Sequence, residues 1–537
     1  MRRELSSARA VAGATALLLG LLGLPATDAR AQVSEAGAGS VRAVESATRE
    51  AATKAPQQRS TTRRRSVNRV PVRTVRTAPV PATWTSPRST GALAADLAGI
   101  LTAHTRGGRW GVMVVSVTRG DTLFASNADA LLKPASIMKM MTTGLALDRF
   151  GTDHKFTTHV LRDGAVNGGV LDGNLYLRGG GDPTLSLRFW QGESPMDALA
   201  KQVASSGIRH VKGAVVADES AFEAERIPRG WKTTYLGSAY AAPVSALSLN
   251  ENVVWIVARP ENGRAVVELD PASTALPVTG TVQVTGGSGG RIVARRTADG
   301  IHVSGTIGAS SAPRRYSLVV QEPPLYAAGG LAASLQKAGV TVDGGLRAGA
   351  TPRGADEVAS VQSIPLANMV SYMNRESINH FAELMYRNAA RTDDTPGSAE
   401  SAQEALRQFL GKAGVHPSHI RVADGSGLSE ADSLTARSMV HLLALAHRAP
   451  WGHVFHASMP VAGESELMRR RMRASPAQGN LHAKTGTTNS VVSLAGYVTA
   501  LNGEVLAFAF IYNGNDRANA RATMDRMGPT LANFSRE

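Results

Sequence analysis

Three short strings stand in one order along this chain: Ser136-Ile-Met-Lys139, Ser377-Ile-Asn379 and Lys484-Thr-Gly486. Each offers a different part of one acyl-transfer site, so they constrain the fold only jointly. Ser136 offers a nucleophile and Lys139 its base. Ser377 and Asn379 offer a second wall, and Lys484 an anion-binding strand edge. A fold that uses all three must close a gap of 238 positions between Lys139 and Ser377.

At 537 residues the chain has the length for two or three domains and a substantial core. It contains no cysteine, which excludes a disulfide framework, a thiolate metal site and a cysteine-borne lipid anchor. Arg2, Arg3 and Arg9 precede an apolar run over 11–24, and Ala29-Arg30-Ala31 supplies small residues for cleavage. Residues 1–31 therefore read as a secretory signal peptide cleaved after Ala31, which predicts an extracytoplasmic, periplasmic protein. As a helix the run would span about 21 Å, short of the roughly 30 Å hydrocarbon core. Arg2-Arg3 hints at twin-arginine export, although its flanking residues fit poorly.

The formal charge of +15 is unevenly placed, because residues 32–90 alone carry +8. Basicity belongs largely to a tail, so no nucleic-acid partner is expected. Residues 32–90 are rich in Ala, Ser, Thr, Arg, Pro and Val and read as a disordered linker. The arginines within 59–76 predict weak, salt-sensitive attraction to anionic membrane or wall polymer.

Order is expected from Gly91. Leu93, Leu97, Ile100 and Leu101 mark a helix over 92–104. Strands over 110–117 and 122–125 flank the Arg119-Gly120-Asp121 turn, and a helix opens at Pro134-Ala135-Ser136 and runs to Phe150. Short strands and Gly-rich turns over 153–362 predict a β-rich insertion of one or two subdomains, with a strand over 278–284. Helices follow over 369–388, 398–413 and 436–447. Strands over 490–500 and 505–512 meet at the Asn502-Gly503 turn, and a helix over 516–534 closes the chain. Residues 91–152 and 363–537 thus read as one catalytic domain around the insertion.

Ser136 and Lys139 lie one helical turn apart, which puts both side chains on one face. A serine hydroxyl needs a base, and Lys139 serves only when neutral, which requires burial and a nearby cation. The apolar neighbours Ile137, Met138, Met140 and Met141 supply the first, and Lys484 is the expected cation. At a helix N-terminus the Ser136 N–H is free to help stabilise an oxyanion. Gly486 permits close approach of a ligand to the strand edge. Imitators exist. Ser334-Leu-Gln-Lys337 sits inside a Leu/Ala helix ending at Gly339, with Lys337 expected in water. Ser248-Leu-Asn250 lies in a strand-like stretch, and Ser66-Val-Asn68 in the tail.

The trio, the string over 179–185, Ala242-Pro-Val-Ser-Ala-Leu247 and Asp424-Gly-Ser-Gly-Leu-Ser429 together resemble the low-molecular-mass class C penicillin-binding proteins, D-alanyl-D-alanine carboxypeptidase/endopeptidases. The resemblance covers about residues 91–537. It implies an α+β, transpeptidase/β-lactamase-like domain with a large insertion between the first two motifs. It implies an acyl-enzyme on Ser136 with Lys139 as base, Ser377 relaying a proton to the leaving D-alanine, and Asn379 binding the substrate amide. Lys484 would supply positive potential, Thr485 and Thr487 would bind the terminal carboxylate, and the N–H groups of Ser136 and Thr487 would form the oxyanion hole. The implied substrates are peptidoglycan stem peptides and the implied inhibitors β-lactams, with no metal or organic cofactor. Glu430 stands where the family usually has a basic residue, and Thr488 where it often has an apolar one. Two readings compete. A serine β-lactamase or esterase would need an extra carboxylate for fast deacylation, and a catalytically idle wall-binding scaffold would not need the ordered trio. Oligomeric state is left open.

Overall fold

The computed structural model describes residues 84–103, 105–190 and 192–536. The expected signal peptide, the basic 59–76 stretch and Ser66-Val-Asn68 lie outside the described residues. Order begins before the expected Gly91. Asn533 Nδ2 donates to Thr85 O at 3.1 Å and Ser535 N–H to Pro87 O at 3.0 Å, so residues 84–90 dock beside the last helix.

A five-stranded antiparallel sheet organises the residues around the three motifs. Its strands are β1 (Arg109–Ser116), β2 (Thr122–Ser126), β3 (His482–Thr487), β4 (Val491–Thr499) and β5 (Val505–Asn513), in the order β2-β1-β5-β4-β3. Pairing of β1 with β5 joins the two ends of the described chain. In β5 successive side chains point to opposite faces. Leu506, Phe508, Phe510 and Tyr512 enter one core with α1 (Thr90–Ala103) and the closing helix Arg517–Ala532. Ala507, Ala509 and Ile511 face the other core, where their small side chains admit the helix Ala436–Arg448. A strand buried on both faces reads as an unbroken apolar run, as this one does.

On that second face, α2 (Met138–Phe150) is buried at every position from Met138 to Leu147. A helix enclosed on all sides buries whatever it carries, Lys139 included. The expected helix over 369–388 is two helices, α3 (Leu366–Glu376) and α4 (Asn379–Asn388). They part at Ser377, which adopts a left-handed backbone with φ of 62°. Apolar spacing runs through the break, and so it hid the turn.

The strands of 157–362 form sheets of their own, and none joins the five-stranded sheet. One has five strands, centred on Leu175–Arg178 and Val215–Asp218; three smaller sheets and the helices Pro195–Ser205 and Pro323–Lys337 accompany it. The expected strand over 278–284 is split by Gly280, whose φ of 91° interrupts the pairing. Ser334 Oγ and Lys337 Nζ both donate to Asp197, at 2.7 and 2.8 Å, so this imitator is a clamp between two helices. Asn250 opens a 3₁₀ turn instead of continuing a strand, and Ser248 is tied to Ser245 O.

Asp121 in the Arg119-Gly120-Asp121 turn is held by Arg536, which also pairs with the buried Glu504. These bonds lower the Glu504 carboxyl from 4.5 to about 2. Its stabilisation is therefore complete above about pH 4.5 and fades as pH falls towards about 2. Arg536→Ala should cost about 1–2 kcal/mol at neutral pH, since Arg119 still pairs with Glu504 at 3.0 Å. Denaturant titrations should show the gap from wild type narrowing as the solution is acidified; a constant gap would contradict this assignment.

Candidate active site

The three motifs converge. Ser136 lies in the 3₁₀ turn Ala135–Ile137, and α2 proper starts only at Met138, two residues later than the expected α-helical opening. The turn is strained, since Ala135 has φ of 51°. Ser493 Oγ on β4 donates to Pro134 O at 2.6 Å and pins it from the sheet side. One turn along, Lys139 has no exposed surface. Its Nζ lies 3.1 Å from Ser136 Oγ, 2.6 Å from Asn379 Oδ1 and 2.8 Å from Ser426 O.

Burial pushes Lys139 down from 10.5 to about 8 against the raising effect of Asp424, Glu383 and Asp432. Lys484 is the other lysine of this pair, and each charge disfavours the other. Burial, then the charge of Lys139, hold it well below the ordinary lysine range. Lys484 Nζ donates to Ser377 Oγ and to Thr485 O, both at 2.9 Å. Ser377 thus faces Lys484, presented by its left-handed turn, while Asn379 faces Lys139 from the first turn of α4.

The carboxyl cluster has an internal division. Asp424 accepts the N–H groups of Ser426, Gly427 and Ser429, the Ser426 hydroxyl and the Trp231 indole at 2.6–3.2 Å. Burial and the Asp424 charge raise Glu383 to about 8 and lift Asp432 well above its ordinary value. Asp424 folds the 424–429 loop so that the Ser426 carbonyl points at Lys139. Thr142 Oγ1 on α2 fastens the same loop through Gly425 O at 2.6 Å.

Lys484 to Thr487 occupy the edge strand β3, with Thr485 half-buried and Thr487 exposed. A Cβ on Gly486 would collide with Ser493 Oγ and lie 2.8 Å from Pro134 O and 3.0 Å from Ser136 N. The strand edge and the Ser136 turn therefore touch backbone to backbone, which only glycine allows here.

The segment 231–240 of the insertion reaches the same place, and the motifs gave no sign of it. Tyr240 O accepts Asn379 Nδ2 at 2.7 Å, and Trp231 braces Asp424. Glu430 pairs with Lys133 at 3.5 Å and with Lys232, so its position sits among lysines from two other segments. Glu383 also escaped the motif reading. Its signal was a lone acid in the apolar stretch after Asn379, four residues on and hence on the same helical face. Among the described residues no cluster of His, Cys, Asp and Glu is arranged to hold a metal ion.

Comparison with known proteins identifies the family. The model of the D-Ala-D-Ala carboxypeptidase 3 (S13) family matches residues 93–534. The chain is 33% identical over 451 residues to the D-alanyl-D-alanine carboxypeptidase of Actinomadura sp. (strain R39), covering 79% of this chain and 81% of that one. It is 26% identical over 418 residues to D-alanyl-D-alanine carboxypeptidase DacB of Haemophilus influenzae, covering 76% and 86%. The crystal structure of penicillin binding protein 4 (dacB) from Haemophilus influenzae superposes with a TM-score of 0.67 at 23% identity, over 80% of this chain and 98% of that one. Its complex with a β-lactam gives 0.64 at 24%.

Gly486→Ala should displace the Ser136 turn. Rotating Ser493 away would forfeit its bond to Pro134 and still leave the Pro134 and Ser136 contacts. A fall in melting temperature is expected, with no recovery in Gly486→Ala/Ser493→Ala. An unchanged melting temperature in the single variant would show that the approach is looser than described.

Proposed function

The chain belongs to the D-Ala-D-Ala carboxypeptidase 3 (S13) family, the class C penicillin-binding proteins, and on that premise we propose that it is an exported serine DD-peptidase acting on peptidoglycan stem peptides. In this reading residues 91–152 and 363–537 carry the chemistry and 153–362 form the insertion. The carrying observation is the set of partners around Lys139 Nζ. Asn379 Oδ1 and Ser426 O are pure acceptors, and they use both N–H bonds of a neutral amine. The lone pair is then left for the third partner, the Ser136 hydroxyl.

Ser136 Oγ attacks the carbonyl carbon of the penultimate D-alanine while its proton passes to Lys139. The oxyanion so formed is held by the N–H groups of Ser136 and Thr487. Collapse breaks the peptide C–N bond, and the leaving amine takes a proton relayed through Ser377 from the lysine pair. Water then adds to the acyl-enzyme, returns its proton to the same network and frees Ser136. Asn379 has a second amide N–H beyond the one given to Tyr240, and this binds the substrate amide. Thr485 and Thr487 hydrogen-bond the terminal carboxylate. That carboxylate also supplies the counter-charge that Lys484 lacks, so Lys484 is charged when substrate is bound. Cleavage of D-amino-acid cross-links uses the same steps on a longer substrate.

The carboxyls nearest Lys139 are at most 1% exposed, and none bonds to Ser136. They are poorly placed to activate a deacylating water, so a slowly released penicilloyl adduct is expected in place of rapid drug hydrolysis. Labelled penicillin should attach to the wild type and not to Ser136→Ala, whose release of D-alanine from a D-Ala-D-Ala peptide should drop by about a millionfold, as for nucleophile loss in another serine hydrolase. Rapid hydrolysis of the drug would favour a β-lactamase, and absence of any adduct an idle scaffold. The acylation rate should rise with pH through about 8 as Lys139 loses its proton. Asp424→Asn removes a charge that raises Lys139, so its profile should move to lower pH. A profile that stays fixed in this variant would contradict the assignment of Lys139 as the titrating base.

A further inference from the structure

A second cleft, of about 620 Å³, lies between the beginning of the insertion and the loop after α4, and none of Ser136, Lys139, Ser377, Asn379 and Lys484–Thr487 lines it. It sits beyond the far end of α4 from Asn379, about 15 Å along the helix. Arg178, at the end of the strand Leu175–Arg178, and Arg391 form its cationic wall, with Lys155 and His154 beside them. Asp393 and Asp394 line it too. His159 also lines the cleft and is engaged by Glu357 at 2.6 Å.

The two guanidinium groups are the unusual feature. The half-buried arginines Arg226 and Arg471 each pair with a carboxylate. Among the described residues Arg178 and Arg391 pair with none, and Arg391 has only the Gly180 carbonyl, at 3.3 Å. Burial lowers Arg391, Asp393 partly restores it, and the charge of Arg178 lowers it again. Burial and Arg391 likewise lower His154. Glu357 acts on Arg178 and Asp393 on Arg391 only from beyond salt-bridge distance, so neither guanidinium has a carboxylate in contact, and a bound anion would supply one. The floor beside them is backbone. A Cβ on Gly179 or Gly180 would collide with Ala246 O or Thr157 O, so both positions require glycine.

We propose that this cleft is an anion-binding site in which Arg178 and Arg391 clamp one oxyanionic group, phosphoryl or carboxylate, of a ligand that does not enter the motif site. Two planar guanidinium forks match such a group bidentately. Asp393 and Asp394 in the lining disfavour an extended polyanion and select a group of low charge.

Calorimetric titration of the full chain at low ionic strength tests this, with glycerol 1-phosphate and N-acetylmuramic acid as probes. One site per chain is expected for at least one probe. Binding by the first alone marks a phosphoryl source, and by the second alone a carboxylate source. Affinity should fall about tenfold in Arg178→Gln and in Arg391→Gln, less in Arg178→Lys, and not at all in Lys484→Ala. Neither glutamine variant should melt below the wild type, because each removes an unpaired cation. If Arg391→Gln fails to fold, Arg178→Gln carries the same expectation. Absence of binding by both probes, affinity unchanged in both glutamine variants, or loss of binding in Lys484→Ala would each overturn the proposal.

Discussion

Lys139 is an amine without exposed surface, and its three partners come from its own turn and from segments 240 and 287 positions away. An unpaired amine at such a depth would cost several kcal/mol, so those segments must arrive together or the helix must stay open. Much of the architecture follows from this. The break at Ser377 starts α4 so that Asn379 can face Lys139, and Asp424 shapes the 424–429 loop so that a carbonyl can do the same. The backbone contact at Gly486 brings the sheet edge against the Ser136 turn.

Burial sets the electrostatics, and the carboxyl cluster tunes it. With burial alone, both lysines would be driven down together. The Asp424 carboxylate keeps Lys139 only moderately shifted, while Lys484, which has a cation for a neighbour, falls further. The two lysines therefore differ in what they lack. Lys139 has its acceptors and needs only to exchange a proton; Lys484 needs an anion. In the proposed reading a substrate ending in a carboxylate would complete the site, joining recognition to chemistry.

The sheet was legible in the sequence because its strands are apolar runs ended by turn residues, as at Asn502-Gly503 before Val505–Asn513. The convergence of the motif residues was legible because the proposed acyl transfer would need those side chains together, and the structure brings Ser136, Lys139 and Asn379 within hydrogen-bond reach, and Ser377 and Lys484 likewise. What stayed hidden was conformational or long-range. Apolar periodicity continues through Ser377, so one helix was expected where two exist. The 3₁₀ turn at Ser136 depends on Ser493, more than 350 positions away. Trp231 and Tyr240 act through one indole N–H and one carbonyl, and a carbonyl has no sequence signature at all. The carboxyls around Lys139 stayed hidden as well, since Glu383 and Asp432 carry no motif that announces them.

The central claim is that Lys139 exchanges its proton near neutrality because it is buried among acceptors. The chain has only ten lysines, which makes a direct titration practical. Heteronuclear NMR of lysine labelled at the ε-carbon and ζ-nitrogen, assigned with Lys139→Arg, should show the Lys139 resonance titrating at about 8. A midpoint at the ordinary lysine value of 10.5 would contradict the account, because Ser136 would then face an ammonium group and have no base.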